Sequence, residues 1–282
     1  MTTTISATRK EKTWTKRAGT LVLGAILAFL AVAAFFPFVY MLLLSFTESE
    51  SLRFSLSDVS LNFVNYSRVF KLTNFLNAMK NSMIVAVGGC FLNCLFCSMA
   101  AYSLEKKRFF GSGFLFFLYL ATQAVPGQVT LIPVFTTMTK LHMMNTYPAL
   151  ILPIINGFGV FLMKQFMSSV PDELLESAKM DGAGEIRLFV NMVVPLIKPV
   201  LVSLTVFTFI STWNDFLWPL VICTDDDMQT LTVALSLLKG KFTTNYGLVM
   251  AGSVLTFLFP FTLYLFLQKQ FVEGIALSGI KG

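Results

Sequence analysis

Residues 18–47 read AGTLVLGAILAFLAVAAFFPFVYMLLLSFT, a run of 30 residues without Asp, Glu, Lys or Arg. An α-helix needs about 20 apolar residues to cross the hydrocarbon core of a bilayer, so this run is long enough to span one. A membrane β-barrel would instead show segments of about ten residues with alternating polarity, whereas residues 21–36 are apolar on all sides of a helix. The stretch therefore predicts a transmembrane helix.

Five basic residues precede this run and give the N-terminus some likeness to a signal peptide. The hydrophobic region of a signal peptide has only about 7–15 residues, however, and this run is much longer. We therefore expect the segment to be retained as a membrane span, with residues 1–17 forming a basic cytoplasmic tail.

Five more stretches that are almost free of charge follow the first. They are Asn81–Leu104, Phe109–Thr139, Leu141–Met163, Pro199–Thr224 and Phe242–Gln268. In the whole chain 55% of the residues are hydrophobic and 13% are charged, against about 25% charged in soluble domains. This composition excludes a soluble enzyme, a disordered protein and a disulfide scaffold. The sequence predicts an all-α integral membrane protein, with six transmembrane helices in a single domain over residues 18–282.

The basic residues indicate how the chain is oriented. With the N-terminus inside, 14 of the 21 Lys and Arg residues lie on the cytoplasmic side, and the positive-inside rule then places both termini in the cytoplasm. The net charge of +6 is explained by this topology and requires no nucleic-acid partner. The long segments between spans are outer loops at 48–80 and 224–241, a cytoplasmic loop at 164–198 and a cytoplasmic tail at 269–282.

Motifs of catalysis and metal binding are missing from the sequence. It has no G-x-x-x-x-G-K-[ST] phosphate loop, no H-E-x-x-H and a single histidine, His142. Cys90, Cys94 and Cys97 have the spacing of an iron–sulfur motif, but they fall on one face of a predicted span. We interpret them as thiols that pack against a neighbouring helix. The sequence thus predicts no enzyme activity, no metal and no cofactor of the chain's own.

The cytoplasmic loop is the most polar segment, with nine charged residues among the 35 of 164–198. Ser168 or Ser169 is a candidate N-cap, Pro171 suits a first helical turn, and Gly182 tolerates the left-handed conformation that ends a helix. These signals predict a short helix in the middle of the loop.

This short helix is amphipathic, with Leu174, Leu175 and Ala178 as its apolar stripe. A second helix is expected over Glu185–Val193, running up to Pro195. A helix of about ten residues is marginal in water by itself. The stripe must therefore dock on the membrane surface, on the protein's own spans or on a soluble partner, and these remain alternatives.

The same loop resembles the EAA motif, which marks the membrane subunits of ABC-type importers. That motif reads E-A-A, three residues, G, nine residues and I-x-L-P. The chain has Glu176-Ser177-Ala178, then Gly182, then Met192-Val193-Val194-Pro195 in this register. Ser177, Met192 and Val194 are mild departures from the pattern.

Two further segments resemble the carbohydrate-uptake branch of this family, and within it the shorter, maltose-permease G-type subunit. They are residues 213–219 (WNDFLWP) and residues 271–282 (FVEGIALSGIKG), so the resemblance covers nearly the whole chain. It implies a type I ABC importer transmembrane domain, located in a bacterial or archaeal cytoplasmic membrane, that takes up a mono- or oligosaccharide.

The resemblance also implies partners. They are a second homologous permease subunit, two ATP-binding cassette ATPase subunits that bind ATP and Mg, and an extracellular or periplasmic solute-binding protein. The residues implied to couple to the ATPase are Glu176, Ser177, Ala178, Asp181, Gly182, Ala183 and Pro195. Those implied to contact it from the tail are Gly274, Gly279, Lys281 and Gly282. By the same resemblance, the segment Met228–Tyr246 is expected to meet the binding protein.

Asp215 is the one charged residue inside a predicted span. Charged residues in spans are usually functional, but Asp215 lies between Trp213 and Trp218, and tryptophan is typical of the membrane interface. A polar cluster that lines the pathway and an interfacial anchor therefore remain alternatives. The candidates for a substrate pathway are Gln123, Asn156, Trp213, Asn214 and Asp215.

Two competing functions are weighed against the sugar importer. A secondary transporter driven by an ion gradient would normally need several ionisable residues within spans and inverted repeats. The sequence has one such acid and no evident repeat, which favours the importer. An ABC permease for another solute, such as glycerol phosphate, also remains open.

Overall fold

The computed structural model describes residues 3–48, 62–107, 109–239 and 245–279, and for 3–18, 267 and 269–279 it describes the backbone alone. All regular elements within these ranges are helical. By its internal contacts the described chain divides into two units. The first comprises residues 3–48, 62–68 and 245–254, and the second comprises residues 69–107, 109–239 and 255–279.

The helices are numbered in chain order. They are α1 (Thr3–Ser45), α2 (Val64–Leu72), α3 (Phe75–Lys106), α4 (Ser112–Gln123), α5 (Gly127–Lys140), α6 (Tyr147–Ile151), α7 (Gly157–Met167), α8 (Asp172–Met180), α9 (Glu185–Leu188), α10 (Val194–Leu196), α11 (Lys198–Trp213), α12 (Leu217–Ile222), α13 (Leu231–Ser236) and α14 (Tyr246–Gly279). Short 3₁₀ segments lie at Leu152–Ile154 and Asp226–Met228, and a π-helical segment lies at Phe189–Val193.

Three helical segments in the described chain are long and apolar enough to cross a membrane. They are Gly19–Ser45, Phe75–Lys106 and Tyr246–Phe266. Three bent pairs meet the same criterion together: Ser112–Gln123 with Gly127–Lys140 at 104°, Tyr147–Ile154 with Gly157–Met167 at 46°, and Glu185–Leu196 with Lys198–Trp213 at 79°. When each bent pair is counted as one span, the total is the predicted six.

Several helix ends differ from the predicted span boundaries. The predicted basic tail is already helical from Thr3, and the described part of the first outer loop contains α2 and the start of α3 at Phe75. A charge-free run marks only the part of a helix that can lie in the hydrocarbon core of the bilayer. The helix itself continues into the water-exposed region as long as its backbone stays hydrogen-bonded.

The first unit holds the C-terminal end of α1 against the beginning of α2. Asn65 is fully buried, and its Nδ2 donates to the carbonyl oxygens of Ser45 at 2.9 Å and Thr47 at 2.8 Å. Carbonyls at the end of a helix lack partners within it, so this one amide satisfies two of them. Gly247 approaches the same place, since a Cβ there would lie 1.8 Å from the Thr47 oxygen.

The second unit is built around α3, which packs against α7 and α11. Met163 and Met167 of α7 and Val200 of α11 have no exposed surface in this core. Between membrane spans such side chains stabilise the fold through close van der Waals packing, because lipid tails are as apolar as the side chains themselves. The cysteines of α3 contribute to the same packing, as predicted, because Cys97 belongs to this core and Cys94 packs against it.

A buried asparagine links these three helices. Asn93 donates from Nδ2 to Thr208 Oγ1 at 2.9 Å, and its Oδ1 accepts from the backbone N–H of Asn156 at 3.3 Å. A buried polar group without a partner would cost about 1–3 kcal/mol. Asn93 therefore favours a single register of α3 against α11 and against the start of α7.

Candidate functional site

The predicted cytoplasmic helix is present as α8, and its first turn is tied to the end of α3. The Nζ of Lys106 donates to Asp172 Oδ1 at 2.7 Å and to the Val170 carbonyl at 2.5 Å, and its side chain is only 6% exposed. Asp172 and Glu173 also place negative charge at the positive end of the helix dipole. The start of α8 is thus fixed from the preceding span.

The prediction of a serine N-cap for α8 is wrong. The hydroxyls of Ser168 and Ser169 donate to the carbonyls of Gln165 and Phe166, and Pro171 precedes the helix without a side-chain cap. Both serines directly follow α7, so they find its last unpaired carbonyls closer than the first N–H groups of α8.

The C-terminus of α8 forms a Schellman motif, which gives a local reason for part of the EAA pattern. Gly182 has φ +81°, and its N–H donates to the Lys179 carbonyl at 2.9 Å. The N–H of Ala183 donates to the Ala178 carbonyl at 3.0 Å. These two bonds close the helix around a left-handed residue, a conformation that glycine adopts without steric cost. The predicted helix end at Asp181-Gly182 is confirmed.

The apolar stripe of α8 divides between two surfaces. Leu175 is 5% exposed and packs in the core with residues of α3, α7 and α11, whereas Leu174 is 41% exposed. Met180, the last residue of α8, is 84% exposed, and Ile186 of α9 is 82% exposed. The loop is therefore docked on the protein's own spans through Leu175, and it presents a second apolar surface outward.

An ionic cluster that sequence reasoning missed fixes the next segment. The carboxylate of Glu185 accepts from Tyr102 Oη at 3.1 Å, forms a hydrogen-bonded ion pair with Lys107, and lies 3.9 Å from Lys179 Nζ. Burial disfavours the charged form of Lys107, but the Glu185 carboxylate outweighs this, so the pKa of Lys107 lies above its ordinary value. The only sequence signal for this cluster was the presence of opposite charges, Lys107 in one predicted cytoplasmic loop and Glu185 and Lys179 in the next.

The second helix of the loop extends further than expected. It runs as α9, the π-helical segment Phe189–Val193 and α10, so that Pro195 lies inside the helical run and does not end it. Proline lacks an N–H and its ring clashes with the carbonyl four residues earlier. A wider π turn just before Pro195 accommodates both effects.

The other residues of the motif lie on the outside. Glu176, Ser177 and Asp181 are exposed, and no ion pair to Glu176 occurs within the described ranges. Ala178 and Ala183 are half-buried and line a small groove of about 270 Å³ beside the loop. Of the four tail residues, Gly274 and Gly279 lie within α14, while Lys281 and Gly282 lie outside the described residues.

A cavity of about 380 Å³ lies where three helical stretches of the second unit are interrupted. Its walls include Thr130 near the start of α5, Asn156 just before α7, and Asp215 between α11 and α12. Backbone that leaves the helical pattern within a membrane is tolerated where it is buried or lines a cavity. Two predicted pathway residues, Asn156 and Asp215, therefore share one cavity.

The other three predicted pathway residues do not line this cavity. Trp213 is 3% exposed, stacks on Phe209 and donates from Nε1 to the Thr256 carbonyl at 3.3 Å. Asn214 donates to the Ile210 carbonyl at 2.9 Å, and Gln123 is an exposed residue at the end of α4. The structure brings Thr130, Ser211, Thr212 and Trp218 to the cavity instead. Sequence reasoning missed these four residues, because hydroxyls and an indole within apolar runs give no local signal that they share a cavity.

The part of the predicted outer segment Met228–Tyr246 that the structure describes before residue 240 is largely packed against the protein. Leu231, Val233 and Ala234 of α13 are buried, and residues 240–244 lie outside the described chain. The neighbouring acidic turn is exposed, and Asn145 anchors it by accepting from the N–H groups of Thr224 at 2.7 Å and Asp225 at 3.0 Å.

Comparison with known proteins places these features in context. Residues 94–276 match the family model described as the binding-protein-dependent transport system inner membrane component. The arabinooligosaccharides transport system permease protein AraQ of Halalkalibacterium halodurans is 34% identical over 268 residues, which cover 90% of this chain and 94% of that protein.

Other matches differ in the solute that their names state. The sn-glycerol-3-phosphate transport system permease protein UgpE of Pectobacterium atrosepticum is 34% identical over 203 residues, 71% of each chain. The crystal structure of a bacterial ABC transporter that imports the acidic polysaccharide alginate matches with a TM-score of 0.80 and 23% identity, over 90% of this chain and 96% of that one. At that identity the match establishes the fold, a type I importer transmembrane domain.

Proposed function

This chain belongs to the family of binding-protein-dependent transport system inner membrane components, and from that premise we propose that it forms half of the pathway of an ATP-driven sugar importer. Its membrane is the cytoplasmic membrane of a bacterium or archaeon. The other half of the pathway is a second, homologous permease subunit. A solute-binding protein delivers the sugar from outside.

The position of α8 in the cytoplasmic loop 164–198 is the observation that carries this proposal. The helix α8 is fixed at its start by Lys106, at its middle by Leu175 and at its end by the turn at Gly182. Its outward surface combines the exposed side chains of Leu174 and Glu176. A short helix held this firmly, with apolar and acidic groups left outside, fits a cleft on a soluble partner better than a loose surface segment.

The proposed partners at this surface are two ATP-binding cassette ATPase subunits. They bind the ATP and Mg, so the chain itself carries no cofactor. The carboxylate of Glu176 is available to an Arg of the ATPase, and charge-assisted pairs of this kind are strong and directional. Ser177, Ala178, Asp181, Gly182, Ala183 and Pro195 complete the proposed coupling set.

Movement of the ATPases is proposed to reach the spans through contacts of α8. Leu175 lies in the same core as Met163 of α7 and Leu204 of α11. A second contact of α8 is the ion pair of Asp172 with Lys106 at the end of α3, at 2.7 Å. The ion pair of Lys164 with Glu105, at 2.6 Å, in turn joins α7 to α3. Packed helices shift as rigid bodies rather than deform, so closure of the ATPases becomes a rotation of the spans and alternating access.

Two further contacts with partners belong to the proposal. The tail with Gly274, Gly279, Lys281 and Gly282 is assigned to the ATPases, and the outer segment Met228–Tyr246 is assigned to the binding protein. Deleting Leu277–Gly282 should change the rate of ATP hydrolysis, and an unchanged rate would remove the role of the tail. Cross-linking from the exposed Leu237 should capture the binding protein.

A reconstituted complex tests the function directly. The chain is co-expressed with its second permease and ATPases, placed in proteoliposomes, and supplied with binding protein and a labelled arabinooligosaccharide. We expect uptake that requires internal ATP and the binding protein and that continues after proton and sodium gradients are collapsed. Uptake that follows an ion gradient without ATP would establish a secondary transporter instead, and uptake of glycerol phosphate alone would exclude the sugar.

The variant Glu176→Lys tests the coupling site in the same assay. We expect it to assemble normally and to hydrolyse ATP, but to lose most of its uptake. The same charge reversal one turn earlier, at the exposed Glu173, should retain most of the uptake. Normal transport by an assembled Glu176→Lys complex would refute the assignment.

A further inference from the structure

The cavity at the three helix interruptions carries a single kind of charge. Asp215 is one of its wall residues, and none of the described residues that line it is Lys, Arg or His. The position of Asp215 is fixed, since its Oδ1 accepts from the backbone N–H of Trp218 at 3.4 Å and its carbonyl accepts from Thr232 Oγ1 at 2.6 Å. A carboxylate held in a partly buried cavity repels anions over several ångströms, because the local dielectric is well below that of water.

The same cavity offers groups that suit a polyhydroxylated molecule. Ser211 and Thr130 are exposed residues of the cavity wall, and their hydroxyls donate to the carbonyls of Thr208 at 3.0 Å and Gly127 at 2.9 Å. A hydroxyl that donates in this way keeps lone pairs with which it can accept from a hydroxyl of the ligand. Asn156 adds a polar side chain on another wall.

An aromatic residue completes this set. The indole of Trp218 is fixed by a hydrogen bond from its Nε1 to the Ala149 carbonyl at 3.0 Å, and Trp218 also lines the cavity. Its polar edge is thus satisfied, and its ring is an apolar surface for the C–H groups of a ligand. The volume of about 380 Å³ lies near the lower end of small-molecule sites, which are roughly 300–1,000 Å³.

We propose that this cavity binds one ring unit of an uncharged sugar and that Asp215 excludes anionic solutes such as uronates and phosphorylated polyols. This inference rests on the proposed sugar-import function and narrows it to neutral substrates. Asp215 acts as a charge filter, and Ser211 and Trp218 provide the hydroxyl and the apolar contact for the ring.

The test uses a cysteine placed in the cavity of the assembled complex in lipid nanodiscs, without the binding protein. The variant Thr130→Cys is labelled by a cationic trimethylammonium-ethyl methanethiosulfonate and by its anionic sulfonatoethyl counterpart. The labelling rate of the unsubstituted complex, with its four native free cysteines, is subtracted. The matched control is Thr136→Cys, which replaces an exposed threonine on the same helix that does not line the cavity.

We expect the ratio of the cationic to the anionic labelling rate to be about tenfold higher for Thr130→Cys than for Thr136→Cys. Adding Asp215→Asn, which keeps the shape of the side chain, should abolish this difference between the two variants. Arabinotriose should slow the labelling of Thr130→Cys, while a galacturonate trimer of similar size should not. Adding Ser211→Ala should weaken the protection by arabinotriose while leaving the charge preference unchanged.

A charge preference that Asp215→Asn does not change, or equal protection by the two trisaccharides, would overturn the inference. Uptake in the reconstituted complex separates this outcome from failure of the proposed function. ATP-driven sugar uptake without charge-selective labelling of Thr130→Cys refutes the site alone. The opposite outcome is a complex that shows charge-selective labelling and protection by arabinotriose while its uptake does not depend on ATP. That result would refute the proposed function and would leave the binding site supported.

Discussion

Lys106 and Asp172 are 66 positions apart in the chain, and they meet in a hydrogen-bonded ion pair of 2.7 Å at the junction of α3 and α8. The Lys106 side chain is 6% exposed and that of Asp172 is 53% exposed. The pair therefore lies at the edge of the packed core, where the last residue of a long span meets the first residue of the coupling helix.

Replacing Lys106 with Met should loosen this junction. An ion pair with one exposed partner contributes about 1 kcal/mol, and a loss of that size changes an equilibrium about fivefold. We expect sugar uptake per ATP hydrolysed to fall by a factor of that order, measured by parallel uptake and hydrolysis assays. Lys140→Met, at the exposed end of α5, is the control and should have no effect. Equal ratios for both variants would show that the junction does not transmit coupling.

Gly182→Ala should destabilise the end of α8 by about 1 kcal/mol, because alanine is strained at φ +81°. No atom lies within 4 Å of the added Cβ, so the effect comes from the backbone alone. Gly184→Ala is the matched control, since Gly184 has φ −71° and equally open space. In thermal unfolding of the purified complex, the midpoint of Gly184→Ala should lie close to that of the native chain, and the midpoint of Gly182→Ala should be lower. The reverse order would contradict the Schellman geometry.

Substitutions at Leu174 and Leu175 should have different effects, one on coupling to the ATPase and the other on stability. Leu175→Ala removes a buried side chain and should cost about 2–5 kcal/mol, visible as a lower unfolding midpoint. Leu174→Ala removes an exposed one, so it should leave the midpoint nearly unchanged while reducing ATPase binding in a pull-down with the purified ATPase. If Leu174→Ala binds the ATPase normally, the outward surface of α8 is not the docking surface.

Gly247→Ala should disrupt the first unit. Its Cβ would stand 1.8 Å from the Thr47 carbonyl oxygen and 2.8 Å from Asn65 Nδ2, and forcing atoms into a packed site costs about 1–3 kcal/mol or more. We expect a reduced yield of monodisperse protein in gel filtration. Gly24→Ala, in the exposed part of α1 with no atom within 4 Å, should be expressed normally. Equal yields of the two variants would contradict the close packing of Gly247 against the Thr47 carbonyl at the end of α1.

The cytoplasmic loop shows how far sequence reasoning reaches. The end of α8 at Gly182 was predictable, because a helix terminus depends on a few neighbouring residues. Its start was not, because the group that fixes it, Lys106, is remote in sequence. Periodicity also placed Leu174 and Leu175 in one stripe, and only the packing of α8 against α3, α7 and α11 decided which of the two is buried.

The six membrane spans and the coupling motif were determined by the sequence alone. A bilayer imposes a local requirement of about 20 apolar residues, and the EAA pattern is a set of spacings within one loop, so both can be found without a fold. The cavity was decided only by the tertiary structure. Thr130, Asn156 and Asp215 come from three separate stretches, and they meet because helices break and bend at the places where these stretches pack together. The same packing buries Trp213 and leaves Trp218 on the cavity wall, a distinction that two tryptophans five residues apart do not carry in their sequence.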